Sequence, residues 1–274
     1  MEAIGTTIPR TLDIETEAIL AIQKYEPEDG YYVAFSGGKD SIVIYDLVKR
    51  SGAKFDSHMN LTGIDAPEVV KFVRDNYPEV IRHKPKMPMF KLIIKKGIPP
   101  TRFIRYCCHE LKEIGGVGRV VVLGLRKQES IRRRDRELYE ESKRTKNKMF
   151  LNPIIEWSEQ DVWDYIMKYR LKYPSLYDEG YNRIGCIMCP MASSKEMLKD
   201  KERYPKFYEA YIRTFEKMLK RRKELGKRPF YMGRYSQQIA KTGEDVMNWW
   251  IYGGIKKKVS KEEKLKWFNE LGGK

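Results

Sequence analysis

The sequence predicts a doubly wound, mainly parallel α/β sheet followed by a basic helical C-terminal extension. Three observations carry this. Short apolar runs alternate with helix-like stretches through the first half of the chain, a glycine turn joins the first such run to a helix, and from about Ser193 the pattern turns helical and basic. Residues 31–35 read as the first strand and 42–48 as the helix after it. Residues 54–59 follow as a strand, 67–76 as a helix, 80–83 as a short strand and 88–96 as another helix. Residues 119–125 form an apolar run typical of a strand buried on both faces, and 149–155 read as a further strand. Residues 132–148 are dense in charge without apolar periodicity and read as a mobile loop. Residues 204–225 read as one long helix. The expected division is residues 1–192 as a nucleotide-binding α/β domain with the cysteine-bearing insertions, and residues 193–274 as a helical basic region packed on it. Ligands of such sheets bind at the carboxyl ends of the strands. Residues 36–41, 60–65 and 124–130 each follow a predicted strand, so they are expected to converge on one crevice.

The segment Ser36-Gly37-Gly38-Lys39-Asp40-Ser41 lies between strand and helix. Two glycines let backbone N–H groups converge on an anion, the helix N-terminus adds partial positive charge, and Lys39 adds a full one. The plain alternative is a solvated glycine turn with an incidental lysine, and the strand and helix on either side argue against it. The spacing departs from the GxxxxGK[ST] loop, with one glycine pair before the lysine and an aspartate between Lys39 and Ser41. It resembles the pyrophosphate-binding loop of the ATP pyrophosphatase superfamily. That resemblance implies that ATP is held by its β- and γ-phosphates while its α-phosphate is attacked, giving an adenylated intermediate and pyrophosphate.

The 274 residues carry 54 Lys and Arg against 38 Asp and Glu, a formal charge of +16. Such an excess favours polyanionic partners, among them a nucleotide, a tRNA or DNA, although a surface shaped by a Lys/Glu-rich proteome gives the same balance. No apolar run approaches the ~18 residues of a membrane helix, and residues 1–10 lack the apolar core of a signal peptide. The expectation is a cytoplasmic protein with no membrane partner.

The chain has four cysteines: the adjacent pair Cys107 and Cys108, and Cys186 and Cys189 in a Gly-Cys-Ile-Met-Cys-Pro turn. Disulfides are rare in the cytosol. Zinc usually takes two Cys-x2–4-Cys knuckles, which a tandem pair fits poorly. Adjacent cysteines point apart and can each bind a different iron, so a [4Fe–4S] cluster is the favoured reading. Zinc and structural or redox-active thiols stay open on spacing alone.

These segments together resemble the adenylylsulfate and phosphoadenylylsulfate reductase family. The resemblance rests on the glycine loop, Thr62-Gly63-Ile64-Asp65-Ala66-Pro67-Glu68, Arg105-Tyr-Cys-Cys-His-Glu-Leu-Lys112, Gly124-Leu-Arg-Lys-Gln-Glu-Ser130, Asn152-Pro-Ile-Ile-Glu-Trp-Ser158 with Asp161-Val-Trp163, and Arg183-Ile-Gly-Cys-Ile-Met-Cys-Pro190. It covers about residues 30–190 and implies an adenine nucleotide alpha hydrolase-like fold of the HUP type. It also implies that Cys107, Cys108, Cys186 and Cys189 ligate the cluster. The family's reductases attack the sulfonyl sulfur with a further cysteine near the C-terminus, and no cysteine follows Cys189 here. A covalent sulfite adduct then has no nucleophile outside the two pairs.

Sulfonucleotide reduction thus becomes the alternative. What remains is similar to the reductase-like component of DNA phosphorothioation systems and, more distantly, to cluster-dependent tRNA thiolases. The implied chemistry is adenylation of a nucleic-acid oxygen by ATP, followed by displacement of AMP by sulfur from a cysteine desulfurase or another sulfur donor. A third reading is a nucleotide- or nucleic-acid-binding module without catalysis, against which Lys39 and Asp40 speak. By this resemblance Ser36, Gly37, Gly38, Lys39, Asp40, Ser41, Thr62, Gly63, Asp65, Gly124 and Arg126 bind the nucleotide, and Lys39, Asp40 and Arg126 are catalytic. Asp40 is the candidate Mg2+ ligand, with Asp65 or Glu68 as a second carboxylate.

Other residues have plainer readings. His109 either tunes the cluster through a hydrogen bond or sits on the exposed side of its helix, the latter favoured. Tyr208, Tyr211, Phe215, Met218 and Leu219 recur at helical spacing and mark a core stripe. Of Trp249 and Trp250, about 100° apart on a helix, one is expected to be buried while the other is placed to stack on bases. Arg132, Arg133 and Arg134, with Lys220, Arg221, Arg222 and Lys223, suit phosphate backbones or a solvated face.

Overall fold

In a computed structural model of the chain, residues 12–232 and 238–252 are described. The signal-peptide reading of residues 1–10 and the end of the basic region, 253–274, lie outside them. Two compact units form. The first draws on the chain up to Lys86 and on Cys108–Cys186; the second takes Met87–Cys107 from the middle of the chain and joins it to residues from Ile187 onward.

The first unit is built on a six-stranded sheet. In chain order the strands are β1 Tyr31–Ala34, β2 Phe55–Asn60, β3 Ile81–His83, β4 Val120–Val122, β5 Tyr139–Glu141 and β6 Met149–Leu151. Their spatial order is β3-β2-β1-β4-β6-β5, with every pair parallel except β5 with β6. From β1 the chain winds outward through β2 and β3, then returns to the other side of β1 as β4. The order therefore reverses between β1 and β4, which is where ligands of open α/β sheets bind. Val120, Val121 and Val122 are all buried, as expected of a strand covered on both faces.

One expectation fails. Residues 132–148 contain β5, paired antiparallel to β6 with Tyr139 opposite Leu151 and Glu141 opposite Met149. Tyr-Glu-Glu has no apolar alternation because β5 is an edge strand, and charge suits an edge.

Helices cover the sheet. Helix α1 (Ile14–Lys24) is capped by Asp13, whose carboxylate accepts from the Glu15 and Thr16 N–H groups. Helix α2 (Lys39–Ser51) starts at Gly38 and stops at Gly52, which takes φ of 78°. Helix α3 (Pro67–Asn76) has proline in its first turn, where no N–H is missed. The core of this unit joins Val33, Ile44, Leu47, Val122, Leu151, Trp157 and Ile166.

The second unit is helical: α4 (Met89–Lys96), α7 (Ser194–Arg203), α8 (Pro205–Glu224) and α9 (Gly243–Tyr252). On α8, Tyr211, Phe215 and Met218 of the expected stripe are fully buried, while Tyr208 and Leu219 are only partly so. Trp250 is buried against Tyr211 and Phe215 and donates its indole N–H to the Pro100 carbonyl at 2.6 Å, while the half-buried Trp249 packs edge-on against Phe230. Helix α5 (Tyr106–Leu111) spans the boundary between units, and His109 on it is exposed. The remaining helix, α6 (Glu159–Lys168), belongs to the first unit and opens with a capping box between Ser158 and Asp161.

Candidate functional site

The glycine loop follows β1 directly and ends as the first turn of α2. Gly37 takes φ of 75°, and a Cβ there would come within 2.7 Å of Val73 and 2.9 Å of Val69, so both conformation and space demand glycine. The loop is fastened by its serines. Ser41 Oγ donates to the Gly38 carbonyl at 2.8 Å and accepts from the Ser36 N–H at 3.2 Å, and the two hydroxyls lie 3.2 Å apart.

Lys39 and Asp40 are less accessible than a solvated loop implies. Lys39 is 4% exposed. Its ammonium lies 3.2 Å from the Asn182 carbonyl, 3.3 Å from Glu159 Oε1 and 3.8 Å from Asp40 Oδ2, and 5.4 Å from the centre of the Tyr177 ring. Its backbone N–H donates to the Tyr177 hydroxyl at 2.9 Å. Burial pushes the Tyr177 phenol's pKa up, so this oxygen is a neutral hydroxyl.

Asp40 is joined to the segment after β4. Arg126, 4% exposed, donates from Nε to Asp40 Oδ1 at 2.6 Å. Gly124 makes room for this contact, since a Cβ there would sit 2.8 Å from the Asp40 backbone carbonyl. Residues 36–41 and 124–126 thus meet at the reversal point of the sheet. Arg133 pairs with Glu129 and lies close enough to Arg183 and Asp40 to feel both charges.

The segment after β2 is engaged otherwise. Thr62 is fully buried, its N–H donates to Asp65 Oδ2 at 2.6 Å, and its hydroxyl accepts from the Ile64 N–H. Gly63 takes φ of 79° in this turn. Asp65 forms an antiparallel bridge with Cys186, whose Sγ lies 3.7 Å from Thr62 Oγ1. Thr62, Gly63 and Asp65 therefore shape a turn that anchors the Cys186 segment.

Neither inorganic cofactor meets a ready set of ligands. Asp40 stands between Arg126 and Lys39, so its carboxylate is already matched by cations and does not fit a Mg2+ ligand. Among the described residues, no group of three or more His, Cys, Asp or Glu side chains is placed to hold a metal ion. All four thiols are half-buried, and each unit holds one member of each pair: Cys108 and Cys186 in the first, Cys107 and Cys189 in the second. Between Cys186 and Cys189, Met188 takes φ of 57° and is buried, and its N–H donates to Asp200 at 2.8 Å within the second unit.

Residues 30–192 match the phosphoadenosine phosphosulfate reductase domain model, a span of more than half the chain. The chain belongs to that family. Two uncharacterised proteins of Methanocaldococcus jannaschii are similar to it. One is 32% identical over 193 residues, covering 65% of this chain and 40% of the relative; the other is 30% identical over 217 residues, covering 73% and 52%. The chain thus spans about half the length of these two relatives, or less. An adenosine 5'-phosphosulfate reductase of Geobacillus kaustophilus is 27% identical over 193 residues, covering 65% of this chain and 81% of its own length. No helix among the described residues is long and apolar enough to cross a membrane.

Sequence reasoning missed Tyr177, Glu159 and Asn182. Glu159 follows the Ser158 cap and reads locally as an ordinary first-turn acid. Tyr177 closes a short 3-10 turn, Ser175–Tyr177, and the contacts of both residues with Lys39 cross well over a hundred positions of sequence.

Proposed function

We propose that this family member is an ATP pyrophosphatase that adenylates an acceptor, a nucleic acid by preference, for later sulfur insertion. The observation that carries the reading is the Lys39 loop at the N-terminus of α2, joined through Asp40 to Arg126 at the reversal point of the sheet. The loop N–H groups and Lys39 would take the β- and γ-phosphates. Arg126, held in place by Asp40, would lie toward the α-phosphate and steady the charge that develops there. Attack by an acceptor oxygen at that phosphorus then releases pyrophosphate and leaves AMP on the acceptor. Sulfide-level sulfur then displaces the AMP; where a cysteine desulfurase or another donor delivers it as a persulfide, a thiol reductant supplies the two electrons that free the product from the donor. Mg2+ enters bound to the nucleotide's phosphates, since it is a common companion of nucleotide phosphates and Asp40 is already paired.

The net charge of +16 supports a polyanionic acceptor, DNA or tRNA. A [4Fe–4S] cluster on Cys107, Cys108, Cys186 and Cys189 belongs to this proposal on the chemistry of the donor set: four thiols in two pairs, suited to iron. When bound, it would supply a site for sulfur or electron transfer. Sulfonucleotide reduction is the second reading, favoured by the Geobacillus relative. Every cysteine in the 274 residues lies in one of the two pairs, so a sulfite-bearing thiol within these residues would be one of the four.

The test is product analysis with anaerobically purified protein, ATP, DNA or tRNA, and a sulfur donor. AMP and pyrophosphate, lost in Lys39→Ala, are expected, together with iron and acid-labile sulfide in near-equal amounts. ADP and phosphate would refute attack at the α-phosphate, zinc without iron would refute the cluster, and catalytic sulfite from adenylylsulfate would favour reduction.

A further inference from the structure

Both anion-binding groups of Lys39 are occupied by oxygens of the protein itself. Its N–H, in the first turn of α2, donates to the Tyr177 hydroxyl at 2.9 Å, and a Cβ built on Gly38 would lie 3.3 Å from that same oxygen. The hydroxyl therefore sits over the glycine turn, where a helix N-terminus places an anion. The ammonium lies between Glu159 at 3.3 Å and the Asn182 carbonyl at 3.2 Å.

We propose that Tyr177 and Glu159 stand in for polyphosphate oxygens, and that the need to displace both lowers the loop's affinity for a ligand bearing a pyrophosphate. This rests on the nucleotide-activating role of the loop. An incoming anion must match what it removes. One phosphate group can replace the hydroxyl on the backbone N–H or the carboxylate on the ammonium; two linked phosphates replace both and lose no contact. The apparent affinity of a ligand that needs both positions is reduced by the fraction of protein in which they are open, so the self-occupied loop tempers the binding of pyrophosphate.

The occupants can move. The Glu159 side chain is 56% exposed and can turn into water. Tyr177 ends a 3-10 turn, and the chain beyond it runs through exposed Asp178, Glu179 and Gly180, the glycine at φ of 79°. A reporter lies beside it: the Trp163 ring meets the Tyr177 ring edge to face, with centroids 5.1 Å apart. Displacement of Tyr177 changes the surroundings of that indole.

The experiment titrates inorganic pyrophosphate and inorganic phosphate into the full chain by calorimetry, comparing wild type with Glu159→Gln, Tyr177→Phe and Lys39→Ala. Removing one occupant is expected to tighten pyrophosphate binding about fivefold, the scale of one partly exposed charge pair, and phosphate binding by no more than that. In parallel, pyrophosphate is expected to change wild-type tryptophan emission, and Trp163→Phe to remove the change; this second readout stands even if Tyr177→Phe folds poorly. Pyrophosphate binding that depends on Lys39 but is equal or weaker in both variants, or that leaves Trp163 silent, would overturn the proposal while leaving the loop's role intact. Absence of pyrophosphate binding in every protein would overturn the role itself, and the proposal with it.

Discussion

Replacing Asp40 with alanine is expected to destabilise the protein as well as silence the loop. The Asp40 carboxylate is only 22% exposed, and Arg126, which donates to it at 2.6 Å, is buried at 4%. Removing one partner of a buried pair costs ~3–5 kcal/mol, because the other charge stays desolvated. Water reaches part of Asp40, so about 2–3 kcal/mol is the expectation here. That is a large share of a typical total of ~5–15 kcal/mol. The double variant Asp40→Ala with Arg126→Met removes both charges, keeps an unbranched stem in the buried site, and is expected to recover all but about 1 kcal/mol. Urea denaturation is followed by tryptophan fluorescence, to which Trp157 and Trp163 contribute from the first unit and Trp249 and Trp250 from the second, and at a slope of ~2–3 kcal/mol per molar the single variant's midpoint falls by about 1 M. The reasoning is refuted if Asp40→Ala unfolds with the wild type, or if the double variant is no more stable than the single one.

Two further perturbations test other parts of the first unit. Gly37→Ala adds a Cβ that meets Val73 at 2.7 Å and strains a backbone at φ of 75°; a loss of ~1–3 kcal/mol is expected in the same denaturation assay, and a neutral result would mean the loop is held less tightly than described. His58 lies stacked on Tyr32, 2.9 Å from Asp56 and 2.8 Å from His83, with Arg119 bound to the same aspartate; burial lowers its pKa from the ordinary 6.5. The unfolded chain then binds the proton first, so stability is full above about pH 7 and falls as pH drops through 6.5. His58→Gln is expected to flatten that slope in urea midpoints taken between pH 7.5 and 5.5, and an unchanged slope would assign it elsewhere.

Much of the fold was legible because local pattern and tertiary role agree. Residues 67–76 read as a helix from the proline at their start, and α3 has those bounds; the stripe on α8 read as core, and Tyr211, Phe215 and Met218 are buried. Strand β5 escaped notice because Tyr139–Glu141 is held by the free edge of β6 rather than by its own three residues. The glycine loop was legible as a turn between strand and helix but not in its environment. Glycines, lysine and aspartate at that spacing point to phosphate wherever strand meets helix, whereas burial of Lys39 and Asp40 arises from Tyr177, Glu159 and Arg126, which local sequence cannot bring near. This difference governs how variants of the loop are read. At an exposed lysine or aspartate, lost turnover with an alanine substitution reports on the ligand alone. Here Asp40→Ala also strands a buried guanidinium, whereas Lys39→Ala frees a half-exposed glutamate that water can solvate. Of the two, Lys39→Ala therefore isolates phosphate binding, and Asp40→Ala does so only beside the charge-free double variant.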